Sequence, residues 1–153
     1  MKHPGANVRV TKTFRFEMAH ALYGYEGPCK NIHGHSYKLS VTVSGSINGS
    51  SEDPKQGMVV DFSDLKKIVE GAVINQFDHS LVLNGNSPHK NFVRENLLVG
   101  KVELVNFQPT CENMLVEFAK LIQYNLPETI KLHHLKLRET STSYAEWYAD
   151  DNK

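Results

Sequence analysis

The stretch His33-Gly34-His35-Ser36-Tyr37-Lys38-Leu39-Ser40-Val41-Thr42-Val43-Ser44 alternates with period two, apolar at the odd positions from Tyr37 to Val43 and polar at the even ones. Successive side chains of a strand point to opposite faces, so this pattern predicts a half-buried strand over residues 35–47. His33 and His35 continue the buried face at its leading end. The earlier stretch Thr13-Phe14-Arg15-Phe16-Glu17-Met18-Ala19-His20 has the same design, with Phe14, Phe16 and Met18 sharing a face that His20 prolongs. It predicts a first strand over residues 8–20. The loop between them contains Tyr23-Gly24-Tyr25-Glu26-Gly27-Pro28 and leads directly into Cys29.

Working outward, Asn48-Gly49-Ser50-Ser51-Glu52-Asp53-Pro54 reads as a polar turn before a first helix. Asp61 or Ser63 can cap that helix, and Leu65, Ile68, Val69, Ala72 and Val73 repeat at the spacing of a buried stripe that ends near Phe77. Residues 84–101 are polar and irregular and predict a loop, with Leu97-Leu98-Val99 as its anchor. A short strand over residues 102–107 precedes Pro109-Thr110, where Thr110 can cap a second helix carrying Leu115, Phe118, Ala119 and Ile122 on one face. In the last strand Leu135 and Leu137 share a face with Glu139. The order strand, strand, helix, strand, helix, strand predicts a single α+β domain over residues 1–153, an antiparallel sheet with two helices packed on one face.

Composition narrows the function classes. The 153 residues contain 17 basic and 17 acidic side chains, so net charge points to neither nucleic acid nor a membrane surface. The first residues lack the apolar segment of a signal peptide, and no stretch approaches a membrane span. A cytoplasmic protein is expected. Its two cysteines lie far apart in sequence, unlike a secreted disulfide framework.

Two histidines one residue apart on a strand lie roughly 6.5 Å apart on one side, so their imidazoles can converge on one ion. His20 is the candidate third ligand. Three imidazoles suit zinc better than magnesium or calcium, and an unfilled fourth position is what a catalytic zinc needs. Cys29 can instead close the site structurally, and residue pattern alone leaves both readings open. His3, His89, His133 and His134 are read as structural. Glu139 continues an apolar stripe with a carboxylate, which can accept two hydrogen bonds from a ring bearing an amino group and an adjacent N–H, as in pterin and guanine-like heterocycles. Thr110 and nearby backbone amides can add polar contacts. Asp78 can orient His79 for proton transfer, and a Cys29 thiol near bound cations has its thiolate favoured. Cys111 is a rival thiol.

These residues, in this order, resemble the 6-pyruvoyltetrahydropterin synthase family. The resemblance rests on Phe16-Glu17-Met18-Ala19-His20, Cys29-Lys30-Asn31-Ile32-His33-Gly34-His35, Val60-Asp61-Phe62, Asp78-His79 with Leu81 and Asn84, Pro109-Thr110-Cys111-Glu112-Asn113, and Arg138-Glu139-Thr140. It implies zinc on His20, His33 and His35, Cys29 as catalytic thiol, Asp78 and His79 as a second acid/base unit, and Glu139 as anchor of the pterin ring. It implies a tunnelling fold, in which subunits join their sheets into a barrel, commonly hexameric, with active sites between subunits. The three-residue gap between Cys29 and His33 looks like the bacterial queuosine-pathway branch, a lyase that makes 6-carboxy-5,6,7,8-tetrahydropterin from 7,8-dihydroneopterin triphosphate. The alternatives are the pyruvoyl-forming reaction on the same substrate, a non-catalytic zinc-containing pterin or purine binder, and a closed structural zinc. Two departures stand out: residues 86–107 form a longer segment than in compact bacterial relatives, and Cys111 stands where Thr or Ser is usual.

Overall fold

The computed structural model describes residues 3, 5–95 and 100–153. Two long strands, β1 (Asn7–His20) and β2 (His33–Ser46), pair antiparallel over their whole length, from Asn7 opposite Ser46 to His20 opposite His33. The register sets Phe14 beside Leu39, Phe16 beside Tyr37 and Met18 beside His35, so both alternations fall on one face. β2 starts earlier than expected, which brings His33 into the ladder.

Four further strands, β3 (Ser80–Asn84), β4 (Val102–Val105), β5 (Ile130–Arg138) and β6 (Tyr144–Tyr148), complete a six-stranded sheet in the order β4-β3-β1-β2-β5-β6. The expected antiparallel arrangement holds for β1, β2, β5 and β6, whereas β3 and β4 extend the sheet in parallel and make it mixed. Register slips by one residue in β5 at His133, a bulge that leaves neither His133 nor His134 in the core.

The first helix begins as α1 (Phe62–Val69), passes through a wider turn at Glu70–Ile74 and ends as α2 (Asn75–Phe77). Asp61 caps it, its carboxylate accepting from the Ser63 amide at 2.8 Å. After α3 (His89–Glu95) and β4, α4 (Cys111–Asn125) starts at the Thr110 cap, whose hydroxyl accepts from the Asn113 amide. Leu65, Val69 and Val73 from the first helix and Met114, Phe118 and Ile122 from α4 cover the apolar face of the sheet. Phe118 sits edge-on to Phe16, and Phe16 stacks on Tyr37 at 5.2 Å.

Three elements depart from the sequence expectation. β3 is buried at every position from Ser80 to Leu83, so it shows no alternation. α3 lies inside the expected loop and packs on the reverse face, where Phe92 and Val93 meet Ala21, Leu81 and Leu83 in a second small core. β6 holds to the main core through Trp147. The anchor expected at Leu97-Leu98-Val99 lies outside the described residues.

Candidate active site

The pairing of β1 with β2 sets His20 opposite His33 and places His35 one step along the same face. One ring nitrogen from each of the three lies within 4.8 Å of the other two. Two backbone carbonyls fix the tautomers. His20 Nδ1 is 2.7 Å from the Pro109 carbonyl and His33 Nδ1 is 2.7 Å from the Asn31 carbonyl. A carbonyl only accepts, so both Nδ1 atoms carry the proton and both Nε2 atoms present lone pairs. Those lone pairs face each other at 3.1 Å.

Two bare nitrogens at that distance repel unless a cation lies between them. His20 is buried, and burial, ahead of its charged neighbours, lowers its pKa and favours the neutral ring. The donor set therefore fits a divalent metal that prefers nitrogen ligands. The Cys29 thiol is not among the converging atoms, so the converging set among the described residues is three histidines. That geometry disfavours a closed four-ligand centre.

Cys29 sits in a short 3-10 turn, Pro28–Lys30, whose Cys29 carbonyl accepts from the Leu22 amide at 2.9 Å and so ties the loop back to the end of β1. The next residues supply the carbonyl that orients His33. Cys111 behaves differently. Its thiol is buried and donates to the Leu137 carbonyl, and burial followed by the nearby Glu139 and Glu112 carboxylates pushes its pKa up to about 12. It is a packed, protonated thiol.

Glu139 turns its Oε1 toward the histidines, 3.5 Å from His20 Nε2 and 3.6 Å from His35 Nε2. The Tyr37 hydroxyl donates to the same oxygen at 3.2 Å. Burial first, then Glu139, with smaller effects from Cys111 and Cys29, raises the tyrosine pKa and keeps it a donor. Tyr37 was not anticipated as a site residue, although it lies two positions beyond His35 on the same face. Pro109 and Asn31 left no comparable signal, because each acts through its backbone.

Asp78 and His79 form a unit at the α2–β3 junction. The Asp78 carboxylate lies 2.9 Å from His79 Nδ1 and accepts from the Glu17 amide. His79 is the one non-glycine with positive φ among the described residues, at 58°, a conformation that costs energy and gathers at functional sites. Lys101 holds the junction by donating to the Asn75 and Asp78 carbonyls. His79 and His35 both line a hollow of about 620 Å³. The hydrogen bonds of Asp78 and His79 run to Glu17, Ile74 and Lys101, and none reaches the histidine triad. Thr110 is placed by its cap, and its hydroxyl still has a proton to donate.

The family profile described as 6-pyruvoyl tetrahydropterin synthase matches residues 9–150. The chain belongs to the 6-pyruvoyl tetrahydropterin synthase family. Within that family it is 36% identical over 143 residues to a 6-carboxy-5,6,7,8-tetrahydropterin synthase from Haemophilus influenzae, covering 91% of this chain and 97% of the relative. A protein of the same name from Aquifex aeolicus is 34% identical, with 90% and 96% covered. The fold is that of a 6-pyruvoyl tetrahydropterin synthase from Plasmodium vivax, with a TM-score of 0.70 at 18% identity over 93% of this chain and 97% of that one. The fold is thus the α+β tunnelling fold of the family. No helix among the described residues is long and apolar enough to cross a membrane.

Proposed function

We propose that this protein is a zinc-dependent lyase that converts 7,8-dihydroneopterin triphosphate to 6-carboxy-5,6,7,8-tetrahydropterin, with release of acetaldehyde and triphosphate, in the queuosine branch of 7-deazapurine biosynthesis. What carries the reading is the near full-length similarity to the Haemophilus influenzae synthase, because site geometry alone serves the pyruvoyl-forming reaction equally well.

His20, His33 and His35 would hold the ion, with Pro109 and Asn31 fixing two of the rings. Bound there, zinc would supply Lewis-acid stabilisation of charge developing on the substrate's side-chain oxygens. Glu139 accepts the amino and N–H donors of the pterin ring while Tyr37 holds its other hydrogen bond. Cys29 takes the side-chain proton, and His79, oriented by Asp78 through Nδ1, passes protons at Nε2. Thr110 contributes its hydroxyl to the ring. The chain acts as a homo-oligomer, a hexamer in this reading, with active sites between subunits and sheets joined into a barrel. Its two unpaired cysteines suit the reducing cytoplasm.

Incubation with dihydroneopterin triphosphate, followed by mass identification of the pterin and assay of acetaldehyde, tests the proposal. Carboxytetrahydropterin with acetaldehyde is expected, whereas pyruvoyltetrahydropterin without it moves the protein to the other reaction. Cys29→Ala should lose turnover at full metal content. Near-normal turnover in that variant removes Cys29 from the mechanism.

A further inference from the structure

The loop that leads into Cys29 is not held by burial. Residues 23–26 are exposed, Tyr23 and Tyr25 among them at 51% and 52%, and Gly24 takes a positive φ of 81°, where a glycine meets no steric penalty. The start of the loop is fixed instead by hydrogen bonds. His20 is held at Nδ1 by the Pro109 carbonyl at 2.7 Å, and the Tyr23 carbonyl accepts from the Gln108 side-chain amide at 2.9 Å. Leu22 lies between these two fixed points, and its own amide donates to the Cys29 carbonyl at 2.9 Å. Among the described residues, the Gln108 bond is the only hydrogen bond that joins residues 22–28 to the chain beyond residue 31.

Gln108 is itself anchored. Its backbone carbonyl accepts from the Thr110 amide at 2.8 Å and from the Asn113 side-chain amide at 3.0 Å. Because a carbonyl only accepts, the Gln108 side chain must turn Nε2 toward Tyr23, which leaves its Oε1 buried with no hydrogen-bond partner among the described residues. His89 packs edge-on against the Tyr23 ring at 5.4 Å and leaves its Nδ1 in the same state. A buried polar atom without a partner costs stability, whereas water can replace the donor at the exposed Tyr23 carbonyl. An apolar side chain of the same length would therefore serve the fold better at position 108. We infer that Gln108 is a positioning residue, which ties the start of the Cys29 loop to the turn that aims His20, so that the thiol and the candidate metal ligands keep one relative placement. Gln108 has this role only where Cys29 is the reacting thiol, as proposed above.

Gln108→Met tests this in the full-length protein, because it keeps the length of the side chain and removes both ends of the amide. Its melting temperature should be no lower than the parent's. Its metal content should be unchanged, because the Thr110 and Asn113 bonds run to the backbone carbonyl and persist. The Leu22 amide should exchange its hydrogen about fivefold faster at fixed pH, as expected for the loss of one hydrogen bond, while the amide of Leu39 in the core keeps its parental rate. Turnover of dihydroneopterin triphosphate should fall about fivefold in kcat at unchanged KM. Gln123→Met, the same replacement at an exposed position of α4, should alter none of these. A lowered melting temperature with faster exchange at both Leu22 and Leu39 makes Gln108 a structural residue and overturns the positioning role, as does a parental Leu22 rate in Gln108→Met. The two readings fail separately. Faster exchange at Leu22 alone, in a protein that converts no dihydroneopterin triphosphate, removes the proposed reaction and leaves the tether. Conversion by Gln108→Met at the parental kcat removes the positioning role and leaves the reaction.

Discussion

A lone pair facing a lone pair at 3.1 Å needs a cation between them, and His20 and His33 present that arrangement because two carbonyls hold their protons on the far side. The histidines themselves were legible in sequence, since side-chain parity on a strand is a rule of geometry. Their orienting partners were not, because a backbone carbonyl leaves no mark in the pattern of side chains. The two thiols divide in the same way. Cys29 is half-buried in a turn whose neighbours Pro28 and Lys30 are exposed, whereas Cys111 is buried with its pKa pushed up to about 12. Iodoacetamide at pH 8 should therefore modify Cys29 and spare Cys111 in the folded protein, as read by peptide mass. Labelling of Cys111 before unfolding would contradict its packed state. The sign of its effect on stability follows. The folded thiol keeps its proton up to about 12, whereas the unfolded one gives it up near 9.0, so between these values the unfolded chain binds fewer protons. Its contribution is complete below pH 9.0 and declines above it, by at most about 1.4 kcal/mol per pH unit. Cys111→Ala should flatten that decline in denaturant titrations at rising pH.

Among the elements, those with one wet face were readable and those buried on both faces were not. β1 alternates buried and exposed from Phe14 to Met18 and β2 does so from Ser36 to Leu39, but in β3 Val82 faces the main core and Leu81 and Leu83 meet α3 on the reverse side. The same reverse-side packing hid α3, a short helix whose apolar contribution is Phe92 and Val93. The start of α4 joins fold to site most directly. Thr110 caps the helix while the preceding Pro109 carbonyl holds His20, so one turn both begins the helix and aims a candidate metal ligand. Thr110→Ala should cost about 1 kcal/mol of unfolding free energy and weaken metal binding, while Thr110→Ser keeps both. Denaturant melts and metal content measured on the two variants check this. A Thr110→Ala protein with unchanged stability and metal affinity would mean that the cap neither holds the helix nor positions the turn.

For the whole molecule the decisive question is how the Asp78–His79 unit meets the chemistry of Cys29 and the triad. The register runs Ser80 beside Met18 beside His35, which sets the strand that follows His79 next to β1, where Val82 pairs with His20, and two strands, roughly 9.6 Å, from His33 and His35. His79 is largely exposed, and its backbone amide is spent on Glu17 rather than on anything near Cys29. His79 is thus an exposed, carboxylate-held imidazole at positive φ with no hydrogen bond to the triad, and under the proposed arrangement of sites between subunits it would serve a neighbouring subunit's site. In the proposed assembly, with active sites between subunits, oligomerisation completes the active site rather than merely multiplying it. Co-expression of Cys29→Ala with His79→Ala chains should recover a fraction of the activity that each variant lacks alone, because some assembled sites draw an intact Cys29 from one chain and an intact His79 from another. The mixed protein should show this recovery at unchanged metal content, and each variant alone should stay inactive at any concentration. If the mixture is as inactive as its parts although mass measurement finds both chains in one assembly, then His79 serves its own chain across the hollow it shares with His35, and the site lies within one subunit.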